Sequence, residues 1–182
     1  MHTPVPEAEA QEWDMARNNK ARKPTVIEKA PVGLRQTMAK PISDYTVAAD
    51  LRTLMTNAKR LGRDDVWRDA FRRLCVLEGA DQTDPLHRDF YEMLAAYEHF
   101  LSERNARATR ATPTRLKARN KGVVHLLEEW AMSEKPTEVH ELLVANGMPD
   151  LTGEHLVLKY PEQFSAEAIA AAKARVEQVP VG

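Results

Sequence analysis

The chain has 182 residues, of which 43% are apolar and 29% charged, and its formal net charge is −1. This length fits one domain with a tail, and the apolar fraction is high enough for a core, which excludes a wholly disordered chain. No run of about 18 apolar residues occurs, so we expect no transmembrane helix, and the first ten residues lack the layout of a secretory signal.

The cysteine and histidine content also limits the possible chemistry. The single cysteine, Cys75, excludes an internal disulfide and a zinc site built from cysteines. No two of the six histidines are three or four residues apart, and the chain has no HExxH, glycine-rich phosphate loop or GxSxG motif. We therefore expect no catalytic residues, no metal site and no cofactor, and a location in the reducing cytoplasm.

The charges are strongly segmented along the chain. Residues 1–16 carry a net charge of −4, residues 17–40 of +6, residues 41–103 of −4, residues 104–127 of +7, and residues 128–182 of −6. The fourth block contains no carboxylate at all. Such an uneven distribution of charge gives information about binding partners rather than about the fold.

Residues 1–42 are predicted to be a flexible tail, because five prolines punctuate them and no apolar periodicity outlasts one turn. The tail includes a basic stretch that offers further contacts with a polyanion. Trp13 has two open roles: docking on a partner, or packing on the protein's own core. The possible tail contacts are Arg17, Lys20, Arg22 and Lys23.

Residues 43–178 are predicted to form a single helical domain, and its first part, residues 43–103, to contain three helices. Ser43 is the predicted N-cap of the first helix, with an apolar stripe from Val47 to Leu61, and Gly62 is its predicted end. The second helix is predicted from an Asp64 cap to Gly79. The third begins with the clearest signal in the chain, Asp84 followed by Pro85. Short loops between the helices predict antiparallel neighbours.

The basic segment, residues 104–121, interrupts this pattern. Pro113 implies that a helix ends near Thr112 or begins again there, and Gly122 implies either a bend in one helix or a break between two. If the third helix continued through Arg104, Arg107 and Arg110, their spacing of three would place them along one face.

Residues 122–178 are predicted to be an acidic helical part. The stretch 154–160 is open between helix and strand, and we favour a helix with Thr152 as its cap. Ser165 is expected to begin an alanine-rich last helix, whose small side chains leave homodimer formation open. The predicted fold is all-α: a compact bundle of six or seven short helices behind a disordered basic tail.

The basic segment is our candidate nucleic-acid-binding site. Its five arginines and two lysines suit contact with phosphate, and its small polar residues donate hydrogen bonds. No aromatic residue lies between Phe100 and Trp130, so contact with duplex DNA is favoured over single strands or RNA. The predicted contacts are Arg104, Asn105, Arg107, Thr109, Arg110, Thr112, Thr114, Arg115, Lys117, Arg119 and Lys121.

These patterns predict a non-enzymatic protein that contacts the backbone phosphates of a nucleic acid. The alternative is a protein-interaction adaptor or assembly subunit whose basic segment pairs with an acidic partner. A third possibility is that the cations pair with carboxylates of the same chain, such as those of the acidic C-terminal third. No membrane partner is expected.

Overall fold

The computed structural model describes residues 40–178, which form eight α-helices, three short 3-10 helices and no β-strand. The all-α prediction is confirmed for this part of the chain. The number of helices is eight rather than six or seven, because the basic segment contains a helix of its own. The helices are α1 Ala48–Arg60, α2 Asp64–Gly79, α3 Pro85–Arg104, α4 Thr112–Lys121, α5 Val123–Met132, α6 Glu138–Ala145, α7 Gly153–Lys159 and α8 Ala166–Val176.

The predicted tail, residues 1–42, lies outside the described residues except for its last three. Trp13 and the four proposed tail contacts (Arg17, Lys20, Arg22 and Lys23) are therefore outside them as well. The first described element is a 3-10 helix, Ile42–Asp44, and the side chain of Ile42 packs against the core.

The predicted start of the first helix is wrong. Ser43 belongs to the 3-10 helix, and α1 begins at Ala48 after an extended Val47, which provides no side-chain cap. The physical reason is tertiary: Tyr45 packs against the core and its carbonyl oxygen accepts a hydrogen bond from Arg73 Nε at 2.9 Å. These contacts hold the intervening residues extended.

Glycines follow the ends of α1 and α6, as predicted for Gly62. Gly62 has φ +64° and Gly147 has φ +71°, the left-handed conformation that glycine adopts at low cost. After Gly147, the Met148 N–H donates to the carbonyl of Leu143 at 2.9 Å, which closes the last turn of α6. Both of these apolar side chains are buried, as is usual for such a helix end.

Side-chain caps begin four of the later helices. Asp84 accepts a hydrogen bond from the His87 amide at 2.8 Å at the start of α3, as its pairing with Pro85 predicts. Thr137, Thr152 and Ser165 cap α6, α7 and α8 in the same way. Residues 154–160 are accordingly helical up to Lys159.

The core is built around α3. Helix α1 packs on α2, α2 packs on α3, and α3 also contacts α5, α6 and α7. Phe71, Phe90, Leu94, Leu126 and Leu127 are fully buried there. Burial of each such side chain stabilises the fold by about 1.5–3 kcal/mol. None of the described helices has both the length and the hydropathy needed to cross a membrane.

A buried polar network joins α6, α7 and α8. Glu154 is 1% exposed; one carboxylate oxygen bonds His140 Nδ1 at 2.8 Å and the other accepts from Arg175 Nη1 at 2.8 Å. Burial raises the pKa of Glu154, but these two hydrogen bonds outweigh it and hold the pKa below its ordinary value. The network therefore anchors the last helix by charge as well as by packing.

Candidate functional site

The loop between α3 and α4 separates the first three arginines of the basic segment. Helix α3 ends at Arg104, and Ala106 has φ +52°, so the chain turns away from the helix axis. The Arg107 N–H donates to the Ser102 carbonyl at 3.1 Å, which completes that turn. The helix does not continue, so Arg104, Arg107 and Arg110 do not share a helical face.

Helix α4 divides the remaining four cations between two sides. Arg115 and Arg119 are four residues apart and lie on one side, and Lys117 and Lys121 are related in the same way. The two pairs are separated by about 200° around the helix axis, since each residue turns by about 100°. A single continuous positive face is therefore not formed by α4.

Glu98 of α3 is the main internal partner of the basic segment. Its side chain is 11% exposed, and its two oxygens accept hydrogen bonds from Arg115 Nε at 2.7 Å and Nη2 at 2.9 Å. It also accepts from the Ala111 amide at 2.8 Å, and Arg110 Nε lies 3.8 Å away. Burial raises the pKa of Glu98, but the hydrogen bonds outweigh it and lower the pKa.

Two further carboxylates bind cations of the segment. Glu129 of α5 accepts a hydrogen bond from Lys117 and lies 3.8 Å from Lys121 Nζ. Glu138 of α6 accepts a hydrogen bond from Arg104 Nη2 at 2.6 Å. The hydrogen bonds from these cations lower the pKa of both carboxyl groups.

Five of the seven cations are thus paired within the chain. Among residues 40–178, no carboxylate lies within 4 Å of Arg107 or Arg119, and both are exposed. The other five cations thus follow the third possibility, in which carboxylates of the same chain pair with them. The seven cations of the segment outnumber these three carboxylates, which leaves a local excess of four positive charges.

The small polar residues of the segment also have internal roles. Thr109 donates its amide to Ser102 Oγ at 2.8 Å and its hydroxyl to the Arg107 carbonyl at 2.9 Å. Asn105 Nδ2 donates to Thr109 Oγ1 at 3.4 Å. These hydrogen bonds hold the loop in its fold, so the side chains of Asn105 and Thr109 stabilise the turn. Thr112 is exposed at the start of α4 and Thr114 is half-buried.

The structure also contains a groove that the sequence did not predict. Helices α1 and α3 both pack on α2, but within residues 40–178 they show no extended packing against each other. Three adjoining cavities lie between them, of about 350, 230 and 230 Å³. The groove is lined by Arg52, Lys59, Trp67, Leu74, His99 and Glu103.

The floor of the groove is aromatic. Trp67 is half-buried and stacks on Phe71 with ring centroids 5.1 Å apart, and the His99 ring lies 4.7 Å from Phe71. His99 Nε2 is buried and has no hydrogen-bond partner among the described residues; its nearest charged neighbour is Glu103 Oε1 at 3.8 Å. Phe71 is fully buried, so the floor combines the exposed part of Trp67 with the unsatisfied Nε2 atom of His99.

The described residues offer little for metal or thiol chemistry. Within residues 40–178, no three histidine, cysteine or acidic side chains come together as a metal site would require. Cys75 is buried in α2, and burial raises the pKa of its thiol, which disfavours the reactive thiolate.

Comparison with protein-family models, with curated proteins and with solved structures gives no match. The site must therefore be interpreted from its own geometry. Trp67, Phe71 and Leu74 recur at helical spacing along α2, a periodicity that is typical of a buried helix face, and Phe71 and Leu74 are buried. No signal in that periodicity shows that α1 and α3 leave part of the face uncovered.

Proposed function

We propose that this protein is a non-enzymatic helical module that binds another protein, with the groove as its binding surface. The groove itself is the observation that carries the proposal. On its floor Trp67 is only half-buried between α1 and α3, and a concave surface with a partly exposed aromatic side chain is typical of interaction sites. The three cavities follow one another along α2, so they suit an elongated guest better than a compact small molecule.

The groove is favoured over the basic segment as the protein-binding surface. An acidic partner of the basic segment would first have to displace Glu98, Glu129 and Glu138 from cations they already bind. The 350 Å³ cavity of the groove borders Glu98 and Arg110 at one end, but a partner that contacts the α2 side of the groove need not displace them. The location we propose is the cytoplasm, where a single buried thiol, Cys75, remains reduced.

Photo-crosslinking tests this proposal directly. A crosslinking amino acid replaces Thr56, an exposed residue beside the groove, and in a second sample it replaces Lys173, an exposed residue of α8. We expect a discrete crosslinked protein from position 56 and none from position 173. The crosslink should disappear when Arg52 and Lys59 are both changed to Glu. Equal crosslinking from both positions, or none from position 56, contradicts the proposal.

Nucleic-acid binding is a second candidate function, supported by the excess of positive charge on the basic segment. Arg107 and Arg119 are exposed and have no carboxylate within 4 Å among residues 40–178, so they are the cations best placed to contact phosphate. Duplex DNA remains the preferred ligand in this proposal. Asn105, Thr109, Thr112 and Thr114 would then contribute hydrogen bonds at the rim of the contact.

A salt series of fluorescence anisotropy with a labelled duplex tests the second candidate. Changing Arg107 and Arg119 to Glu should weaken binding at least tenfold and reduce the log–log salt slope by about 2. The matched control changes Arg68 and Lys173 to Glu, an equal change of charge at exposed positions outside the segment. No binding at low salt, or equal losses in both double variants, excludes the basic segment as a DNA contact.

A further inference from the structure

We infer that α4 enters the major groove of duplex DNA, where Leu116 and Asn120 contact the edges of A·T base pairs. This inference rests on the second candidate function and adds to it a means of reading sequence. It follows from the place of α4 on the surface, from an uncharged strip along its outer side, and from the cations that lie on both sides of this strip.

Helix α4 lies at the surface of the domain. It packs along α5, no other described helix packs extensively against it, and Ala118 is its one buried residue. An α-helix with its side chains is about 10–12 Å across, which matches the width of about 12 Å of the major groove of B-DNA. The ten residues of α4 extend over about 15 Å, so the helix is long enough to span several base pairs in the groove.

An uncharged strip runs along the outer side of α4. Thr112, Leu116 and Asn120 follow one another at intervals of four residues, so they share one side of the helix, opposite the buried Ala118. All three are exposed, and Leu116 is 45% exposed although it is apolar. Among the described residues the Asn120 side chain has no hydrogen-bond partner, whereas that of Asn146 donates to a backbone carbonyl.

The chemistry of this strip suits A·T base pairs. In the major groove adenine offers N7 as an acceptor and its N6 amino group as a donor, and an asparagine amide pairs with both. Thymine presents a C5 methyl group, which apolar side chains contact. Leu116 and Asn120 are about 6 Å apart along the helix axis, so they face bases roughly two pairs apart. Thr112 lies one turn further, at the rim of the contact.

Cations lie on both sides of the uncharged strip. Arg119 lies on one side and Lys117 and Lys121 on the other, because each residue turns by about 100° around the helix axis. Glu129 neutralises one of the two lysines, which leaves one positive charge on that side, and Arg119 supplies one on the other. Two flanks of the same sign match the two phosphate backbones that border a groove, and such contacts orient a protein on the duplex.

Duplex RNA and an acidic protein fit this arrangement less well. The major groove of A-form RNA is deep and narrow, so side chains do not reach its base edges. A protein partner would need two rows of negative charge on either side of a neutral strip, whereas every DNA duplex carries them as its phosphates. Residues 104–127 contain no carboxylate, so no side chain within this stretch repels the phosphates.

Duplexes with single altered bases test the inference, with the full-length chain and fluorescence anisotropy at low salt. A preferred duplex is first selected from a random pool, and we expect it to contain A·T pairs at two fixed positions. Replacing thymine by uracil at one of them removes only the methyl group, and replacing adenine by 7-deazaadenine at the other removes only the N7 acceptor. Each replacement should weaken binding to the wild-type protein by about fivefold or more.

Variants of the two side chains assign each contact. Leu116→Ala should become insensitive to uracil and Asn120→Ala to 7-deazaadenine, while each variant remains sensitive to the other replacement. The matched controls are Leu61→Ala and Asn57→Ala, which shorten an exposed leucine just after α1 and an exposed asparagine of α1. Both controls should respond to the altered bases as the wild-type protein does.

Two outcomes overturn the inference: selected duplexes without fixed A·T pairs, and equal sensitivity of Leu116→Ala, Asn120→Ala and their controls to the altered bases. If the change of Arg107 and Arg119 to Glu still weakens binding to a duplex in either case, sequence reading by α4 is wrong and the second candidate function stands. If no duplex binds at low salt, both fall.

Discussion

Gly79 lies directly against the backbone of Arg88, so that a Cβ atom at position 79 would stand 2.5 Å from the Arg88 carbonyl oxygen. Gly79 is the last residue of α2 and is buried, and Arg88 lies in the first turns of α3. The close approach of these two helices at this point thus depends on the absence of a side chain.

We expect Gly79→Ala to lower the free energy of unfolding by about 2–3 kcal/mol, because a rigid carbonyl group cannot give way as a flexible side chain would. Urea unfolding followed by circular dichroism measures this change. Gly62→Ala is the comparison: a Cβ atom at position 62 would meet nothing within 4 Å, so only the left-handed backbone opposes the substitution, at about 1 kcal/mol. Equal losses in the two variants would contradict the steric argument.

Ala106→Gly should stabilise the protein. Ala106 adopts φ +52° in the turn after α3, a conformation that costs an alanine about 1–2 kcal/mol relative to glycine. The greater freedom of glycine in the unfolded chain offsets part of this gain, so we expect a net increase of about 0.5 kcal/mol. Thermal unfolding measures it. Gly147→Ala, the reverse exchange at a left-handed helix end, should lower the melting temperature.

Glu98→Gln should destabilise the protein by about 3 kcal/mol, because it leaves the partly buried Arg115 without its carboxylate. The pKa of Glu98 is lower in the folded protein, so its contribution is complete above the ordinary pKa of about 4.3 and is lost as the pH falls through the lowered value. Unfolding curves from pH 7 to pH 3 measure both effects. Glu129→Gln, which affects an exposed pair screened by solvent, should cost much less than Glu98→Gln; a similar loss in both variants would contradict the role of burial.

His99 should make the protein less stable in mild acid. Burial lowers the pKa of His99, and the charges of Lys59 and Arg52 lower it further, while Glu103 opposes them. The unfolded chain therefore takes up this proton more readily, so stability is full above about pH 6.5 and declines as the pH falls toward the lowered pKa. His99→Phe should reduce the difference in unfolding free energy between pH 7.5 and pH 5.5. An unchanged difference would show that His99 is not its source.

The helical architecture could be predicted from the sequence because its signals are local. Asp84 followed by Pro85 begins α3, and Gly62 and Gly147 end two helices, as their backbone preferences require. Ser43 has an equally good capping side chain, but it does not begin α1. The packing of Tyr45 and its bond to Arg73, 28 residues away, decide where α1 begins.

The candidate site was less predictable because its charges are balanced over long distances in sequence. The carboxylates that bind the basic segment come from α3, α5 and α6, and Glu138 is 34 residues from Arg104. Glu98 is the least predictable of them, since a carboxylate within the buried face of α3 has no local signature. The groove is also a tertiary property: it depends on the directions of α1 and α3, which no local pattern of Trp67 or Leu74 encodes.

Gly122, which separates α4 from α5, has φ +88° and ψ 152°, a region of backbone space that is essentially closed to residues with a Cβ atom. Any amino-acid substitution at position 122 must therefore either strain the backbone between α4 and α5 or change the orientation of α4. The orientation of four cationic side chains therefore depends on the absence of a Cβ atom at position 122. These side chains are Arg115, Lys117, Arg119 and Lys121.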